Sequence, residues 1–183
     1  MRVVAFAVVL AIGVASSAAA QAPRIEIGGG YTGVNYEKTP SFNTGWIASA
    51  TGYLTPWLGV AGEVSGQYFS SSVPDAPGYT YRGRPFTVSF TNLLVGPKVA
   101  LPSGRRVRGF GQMLFGATRY AGDPTAPFGK VFRFFLMQPG GGVDIGIKGP
   151  FAVRAQVDVP VFRNDIDWYF KGVRWAGQLV WRR

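Results

Sequence analysis

The chain has no cysteine and no histidine in 183 residues. Without cysteine there is no disulfide, no thiol nucleophile and no thiolate metal site. Without histidine, most general-base, triad and zinc chemistry is excluded too. Charge is also sparse: Asp, Glu, Lys and Arg supply 15% of the residues, against a usual share of about 25%. In their place stand 26 glycines and an aromatic content of 15%. The length suits one domain.

Long hydrophobic runs are missing after the N-terminus. The only one is "VVAFAVVLAIGV", Val3 to Val14, preceded by Arg2 and followed by the small residues of "ASSAAAQA". Crossing a membrane as a helix needs about 20 apolar residues, so this run is short for that. A basic start, a short apolar stretch and small residues make a secretory signal peptide. Cleavage is expected after Ala20, with residues 1–20 removed; a second site lies after Ala22. A Sec-type exported domain over 24–183, without a transmembrane helix, follows.

From Arg24 onward the pattern has a period of two and no sustained helical period. "FAVRAQVDVPV", Phe151 to Val161, shows it most plainly. Phe151, Val153, Ala155, Val157 and Val159 alternate with Ala152, Arg154, Gln156, Asp158 and Pro160. Eight such strands are expected, over 24–37, 45–54, 58–69, 86–101, 107–120, 133–147, 151–161 and 168–181. Connections after the second, fourth and sixth are short ("TPW", "PSGRR", "KGP"). Those after the first, third and fifth are longer and polar. Short turns on one rim and longer loops on the other are the habit of outer-membrane barrels. Greek-key sandwiches have no reason to alternate this way.

Alternation alone does not say which face meets water; the make-up of the faces does. The polar faces carry Glu26, Glu63, Lys98, Gln112, Asp144, Arg154, Gln156, Asp158, Arg174 and Gln178, with Ser49, Thr51, Ser65, Gln67 and Asn92. Between them stand Gly28, Gly30, Gly96, Gly116, Gly140, Gly142 and Gly146. Exposed faces of soluble sheets have no need of so many glycines, which weaken strands. A crowded lumen needs small residues beside large polar ones, and charges of both signs so that each is paired. The apolar faces carry rings near strand ends: Trp46, Tyr68, Phe135 and Trp175, with Trp57, Phe151 and Trp181 towards the short turns. Rings at both borders of an apolar band match an aromatic girdle. Pro160 is expected to mark a bulge.

On "GWIASATGYLTPWLGVAGEVSG", "LLVGPKV", "QMLFGATR" and "GGGVDIGI", taken in order, the chain resembles the small Gram-negative outer-membrane β-barrel proteins, the eight-stranded OmpA/OmpX-like barrels. The resemblance covers essentially the whole chain after the leader. It implies an all-β, eight-stranded antiparallel up-and-down transmembrane β-barrel in the cell outer membrane, a monomer, with barrel-assembly machinery as a partner during biogenesis. Such chains commonly end on alternating apolar residues and a final aromatic. Here Val173, Trp175, Leu179 and Trp181 fit, and Arg182 and Arg183 follow. No peptidoglycan-binding domain accompanies the barrel.

The formal net charge is +10. For an exported barrel the matching anion is lipid phosphate rather than nucleic acid. Arg82, Arg84, Arg119, Lys130 and Arg133, near the longer loops, are candidates for contact with outer-membrane lipid and lipopolysaccharide, equally readable as solvated charge. "GGGVDIGIKG" lacks the helix that a nucleotide loop requires. No cofactor, metal site or catalytic residue is expected. The expected role is structural or surface-interactive. A narrow ion-conducting pore and a soluble lipocalin-like binder of a small apolar ligand stand as alternatives.

Overall fold

The computed structural model describes residues 25–35, 43–72, 85–101, 106–121, 131–163, 168–170 and 172–183. The expected leader and most of the longer loops lie outside these residues. Ten strand segments run in chain order: β1 (Ile25–Asn35), β2 (Asn43–Tyr53), β3 (Leu58–Ser72), β4 (Pro85–Ala100), β5 (Val107–Ala121), β6 (Val131–Gly146), β7 (Phe151–Asp158), β8 (Val161–Arg163), β9 (Trp168–Phe170) and β10 (Val173–Arg182). All pairings are antiparallel. Each strand from β1 to β6 pairs with its chain neighbour, and β10 closes the ring on β1.

Segments β7 and β8 both pair with β6, in one unbroken register from Gly140↔Asp158 to Met137↔Val161. They are one barrel strand. Segments β9 and β10 form the next, so the barrel is closed, all-β and eight-stranded. Closure removes the sheet edges that would otherwise invite pairing with other chains.

The expected bulge is corrected by this register. Pro160 interrupts the ladder, since proline has no N–H to give, but it adds no residue against β6. The extra residue lies on the opposite strand. From Asp158 to Val161 one strand advances three residues, while its partner runs four, from Arg174 to Phe170. Gly172 falls in that step with φ of 131°, a conformation that suits glycine.

Among the described residues, two short turns mark one rim. In Leu54–Trp57 the Thr55 hydroxyl accepts from the Leu58 N–H at 2.9 Å. In Ile147–Pro150, Gly149 takes a φ of 61° and Ile147 N donates to Phe151 O at 3.0 Å. The described chain ends meet at the same rim, where Ile25 and Arg183 exchange backbone hydrogen bonds of 2.9 Å in both directions.

Alternation decides what each strand shows outside and inside. Along β7, residues are exposed and buried in strict turn, with Phe151, Val153, Ala155 and Val157 outside. The outside is the apolar side: Leu93 is 64% exposed, Val157 53%, Ile27 53% and Leu179 54%. Glu26, Lys98, Asp144, Arg154 and Arg174 are buried. This is the reverse of a soluble sandwich, in which the valines would pack inward.

Candidate functional site

Every residue of the expected interior network lies on an inward position. Gln112 is half-buried and the other nine are buried. The charges gather in two tiers.

The tier nearer the short turns is built on Glu26 of β1. Its Oε2 accepts from Lys98 Nζ at 2.8 Å and from Arg154 Nη2 at 2.6 Å. Arg154 also grips Asp144 across the β6–β7 ladder, Nε to Oδ1 at 2.7 Å and Nη2 to Oδ2 at 2.9 Å. Two-point contact of this kind fixes orientation as well as charge. The Phe110 ring lies under both cations, 4.3 Å from Lys98 Nζ and 4.8 Å from Arg154 Cζ. Cations over a ring face gain further stabilisation when desolvated.

Two arginines missed by sequence reading complete this tier. Arg108 donates to the Pro56 carbonyl at 3.0 Å and reaches Glu26 Oε1 at 3.5 Å. Arg182, expected on the rim beyond the final aromatic, belongs to β10 and turns inward. Its Nη2 stands 2.6 Å from Asp144 Oδ2. Nε and Nη2 make no well-directed hydrogen bond among the described residues, so the attraction is Coulombic. Parity carried the signal: Arg182 follows Arg174, Ala176, Gln178 and Val180 in steps of two.

The second tier centres on Arg174 of β10, set between Glu63 and Asp158. Nη1 pairs with Glu63 Oε1, and Nη2 donates to Glu63 Oε2 at 2.8 Å. Nη2 and Nε both reach Asp158 Oδ2, at 2.6 and 3.0 Å. Gln156 Nε2 donates to the same two carboxylates, at 3.3 Å to Glu63 and 2.9 Å to Asp158. Gln112 supplies Asp158 Oδ1 at 3.2 Å. Gln178 Nε2 donates to Gln156 Oε1 at 3.0 Å, and Ser49 donates to Gln178 Oε1 at 2.6 Å. Beyond it, Asn92 links Ser65 and Thr118 at 3.2 and 2.7 Å.

The interior is not polar throughout. Ala61, Leu94, Leu114 and Leu136 form a buried apolar cluster, with Phe162 packed against it. Glycines let the tiers close up. A Cβ on Gly140 would strike the Asp158 carboxylate and fall 2.8 Å from the Val157 carbonyl.

Of the expected girdle, Trp46, Tyr68, Phe135, Phe151 and Trp175 are exposed, and Trp57 and Trp181 half-buried. Phe151 and Trp181 face each other at the short-turn end. Trp46 Nε1 donates to Tyr68 Oη at 3.4 Å. The Trp175 and Trp46 rings cover Gly33 and Gly66 of the adjacent strands. Of the candidate lipid-contact residues, Arg119 and Arg133 are exposed and directly opposite each other on β5 and β6. Arg82, Arg84 and Lys130 lie outside the described residues.

No protein-family model matches the sequence, and no curated protein matches it. Solved structures do match the backbone. Ail, the attachment invasion locus protein of Yersinia pestis, was solved in complex with the heparin analogue sucrose octasulfate. It is 15% identical with a TM-score of 0.57, over 87% of this chain and 96% of that one. The N-terminal β-barrel domain of Pseudomonas aeruginosa OprF gives 14% and 0.55, over 87% and 97%. Neisserial surface protein A gives 8% and 0.58, over 87% and 96%. Ring closure, strand number and these superpositions agree: the chain has the fold of the small eight-stranded barrels of Gram-negative outer membranes.

Proposed function

We propose that this chain is an outer-membrane β-barrel protein, exported on a cleaved leader and inserted as a monomer by the barrel-assembly machinery. Its role in this reading is structural and surface-interactive. One observation carries it: the barrel turns its apolar residues outward and its ion pairs inward. Exposed side chains of the kind seen at Leu93, Val157 and Leu179 form a band that water would not tolerate at this extent.

Two features favour a filled wall over a conduit. Arg174 reaches from β10 to Glu63 on β3, and Arg154 from β7 to Glu26 on β1, so charge pairs bridge non-adjacent strands through the interior. Eight-stranded barrels are only wide enough for side chains to fill them. The same packing disfavours a lipocalin-like ligand cavity. At the far rim, Arg119 faces Arg133. Like charges directly opposite are destabilising unless an anion lies between them. A lipopolysaccharide phosphate at the outer surface has the charge and oxygens to bridge them.

Fractionation tests the location. The mature chain should be recovered from detergent-extracted outer membrane of a Gram-negative host; recovery in the soluble periplasm would overturn the reading. Bilayer recording tests the filled interior. Wild-type protein should give near-zero conductance, and steady channels lost in Arg154→Ala would favour the pore instead.

A further inference from the structure

Gln138 on β6 is fully buried, yet neither its amide nitrogen nor its amide oxygen finds a hydrogen-bond partner among the described residues. Its surroundings explain why. Pro139 follows it, and the β6–β7–β8 register sets Pro160 across the ladder from it. Prolines offer no N–H. Leu114, opposite Gln138 on β5, and Leu136, two residues before it on β6, are apolar. Burying both ends of an amide unpaired is costly, and native interiors rarely keep such groups without a partner or an ordered water.

Beside Gln138 is a small cavity of about 10 Å³, about one water-sized sphere. It is lined on its polar side by Gln67, Asn92, Gln138 and Arg174, and on its apolar side by Val34, Leu136 and Phe162. Four polar side chains from β3, β4, β6 and β10 thus converge on one small volume.

We propose that Gln138, Gln67 and Asn92 bind a single ordered water molecule in the barrel interior, on the long-loop side of the Arg174 ion pairs. Asn92 spends one N–H on Ser65 Oγ at 3.2 Å, which leaves one for the cavity. The water accepts from that N–H and from Gln138 Nε2, and donates to Gln67 Oε1. Water fits better than a halide ion here. The volume is that of one water, and the nearby guanidinium of Arg174 is already held by Glu63 and Asp158. The bound water joins Gln138 to the Ser65–Asn92–Thr118 chain, so the polar network continues past the apolar cluster. This inference rests on the closed barrel and its interior, not on the membrane reading.

The test uses the whole refolded barrel, isotope-labelled, in lipid nanodiscs. Magnetisation transfer from water to the side-chain amides of Gln138 and Asn92 is recorded by NMR. Direct cross-peaks at both amides are expected. In Gln138→Met, which keeps the shape and removes the amide, the Asn92 cross-peak should be lost, while the heat-modifiable gel mobility of the folded barrel is kept. Resolved Gln138 and Asn92 amides without water cross-peaks in the wild type would overturn the proposal. So would an Asn92 cross-peak that survives in the folded variant.

Discussion

Arg182 brings Nη2 to 2.6 Å from Asp144 Oδ2, although it follows the last aromatic residue of the chain. The pair joins the final strand segment to β6 across the short-turn mouth. Asp144 does not depend on it, because Arg154 holds both its oxygens from β7. The Arg182 side chain is 19% exposed, but the Nε and Nη2 atoms that face the acids are buried. Because Asp144 keeps its Arg154 partner, Arg182→Ala should assemble normally and lose about 1–2 kcal/mol of folding stability, the net worth of one charged contact. Urea titration of folding into lipid vesicles measures this, and a loss of several kcal/mol would show that Asp144 relies on Arg182.

Arg174 is the contrasting case. It is buried, and it is the cation that both Glu63 and Asp158 contact. Arg174→Met leaves two carboxylates facing each other in the interior. Breaking a buried pair this way costs about 3–5 kcal/mol, because the charges left behind are uncompensated. Adding Glu63→Gln and Asp158→Asn to Arg174→Met should recover more than half of that loss, since a neutral network has no stranded charge. If the triple variant is as unstable as the single one, the cost lies in lost packing around the Arg174 stem rather than in charge.

Gly140 sets how closely β6 approaches this tier. Gly140→Ala would push the Asp158 carboxylate aside, and with it the 3.2 Å bond from Gln112. Overpacking of a filled interior costs about 1–3 kcal/mol. Gly177 faces outward, with nothing within 4 Å of a Cβ placed there. Gly177→Ala should be neutral or stabilising by about 0.5–1 kcal/mol, the usual gain over glycine in a strand. Equal effects at the two positions in the vesicle titration would mean that the interior yields to an added methyl group.

Much of this was legible in the residues because a period of two leaves no freedom: once Arg154 and Asp158 point inward, so does every second neighbour. Strand number, register side and the buried acids and bases all follow from that parity. Four features did not. Leu94, Leu114 and Leu136 lie inward, but apolar residues on both sides of "NLLV" and "RFFLMQ" hide the parity; only counting from Lys98 or Asp144 recovers it. The inward side of Gln138 is hidden for the same reason. The bulge was expected at Pro160, the residue with the evident backbone defect. The strand opposite absorbs it instead, at Gly172, where a positive φ is tolerated. Which charges pair also needed closure, since Arg174 and Glu63 lie on strands that touch neither each other nor a shared loop.

Arg119 and Arg133 give a surface prediction. In Arg119→Ser with Arg133→Ser, binding to vesicles carrying lipopolysaccharide should fall several-fold, and binding to neutral phosphatidylcholine vesicles should not change. The wild-type preference should also shrink as salt rises from low to physiological strength, as screening requires for exposed charge. An unchanged preference in the double variant would leave the pair as plain solvated charge.

Val157 tests the orientation of the whole wall. It lies outside, 53% exposed, midway along the strand formed by β7 and β8. Ile147, also exposed at 63%, sits on the turn at one rim. In water, arginine at either position would change little, because exposed substitutions stay within about 0.5 kcal/mol. Around an apolar band facing hydrocarbon the two must differ with depth. Val157→Arg should cost about 2–4 kcal/mol and Ile147→Arg about 0–1 kcal/mol. Folding yields and urea midpoints in vesicles read both. A large loss at Val157 with little at Ile147 requires a bilayer around the barrel, whereas two small, equal losses would mean that its outer face meets water.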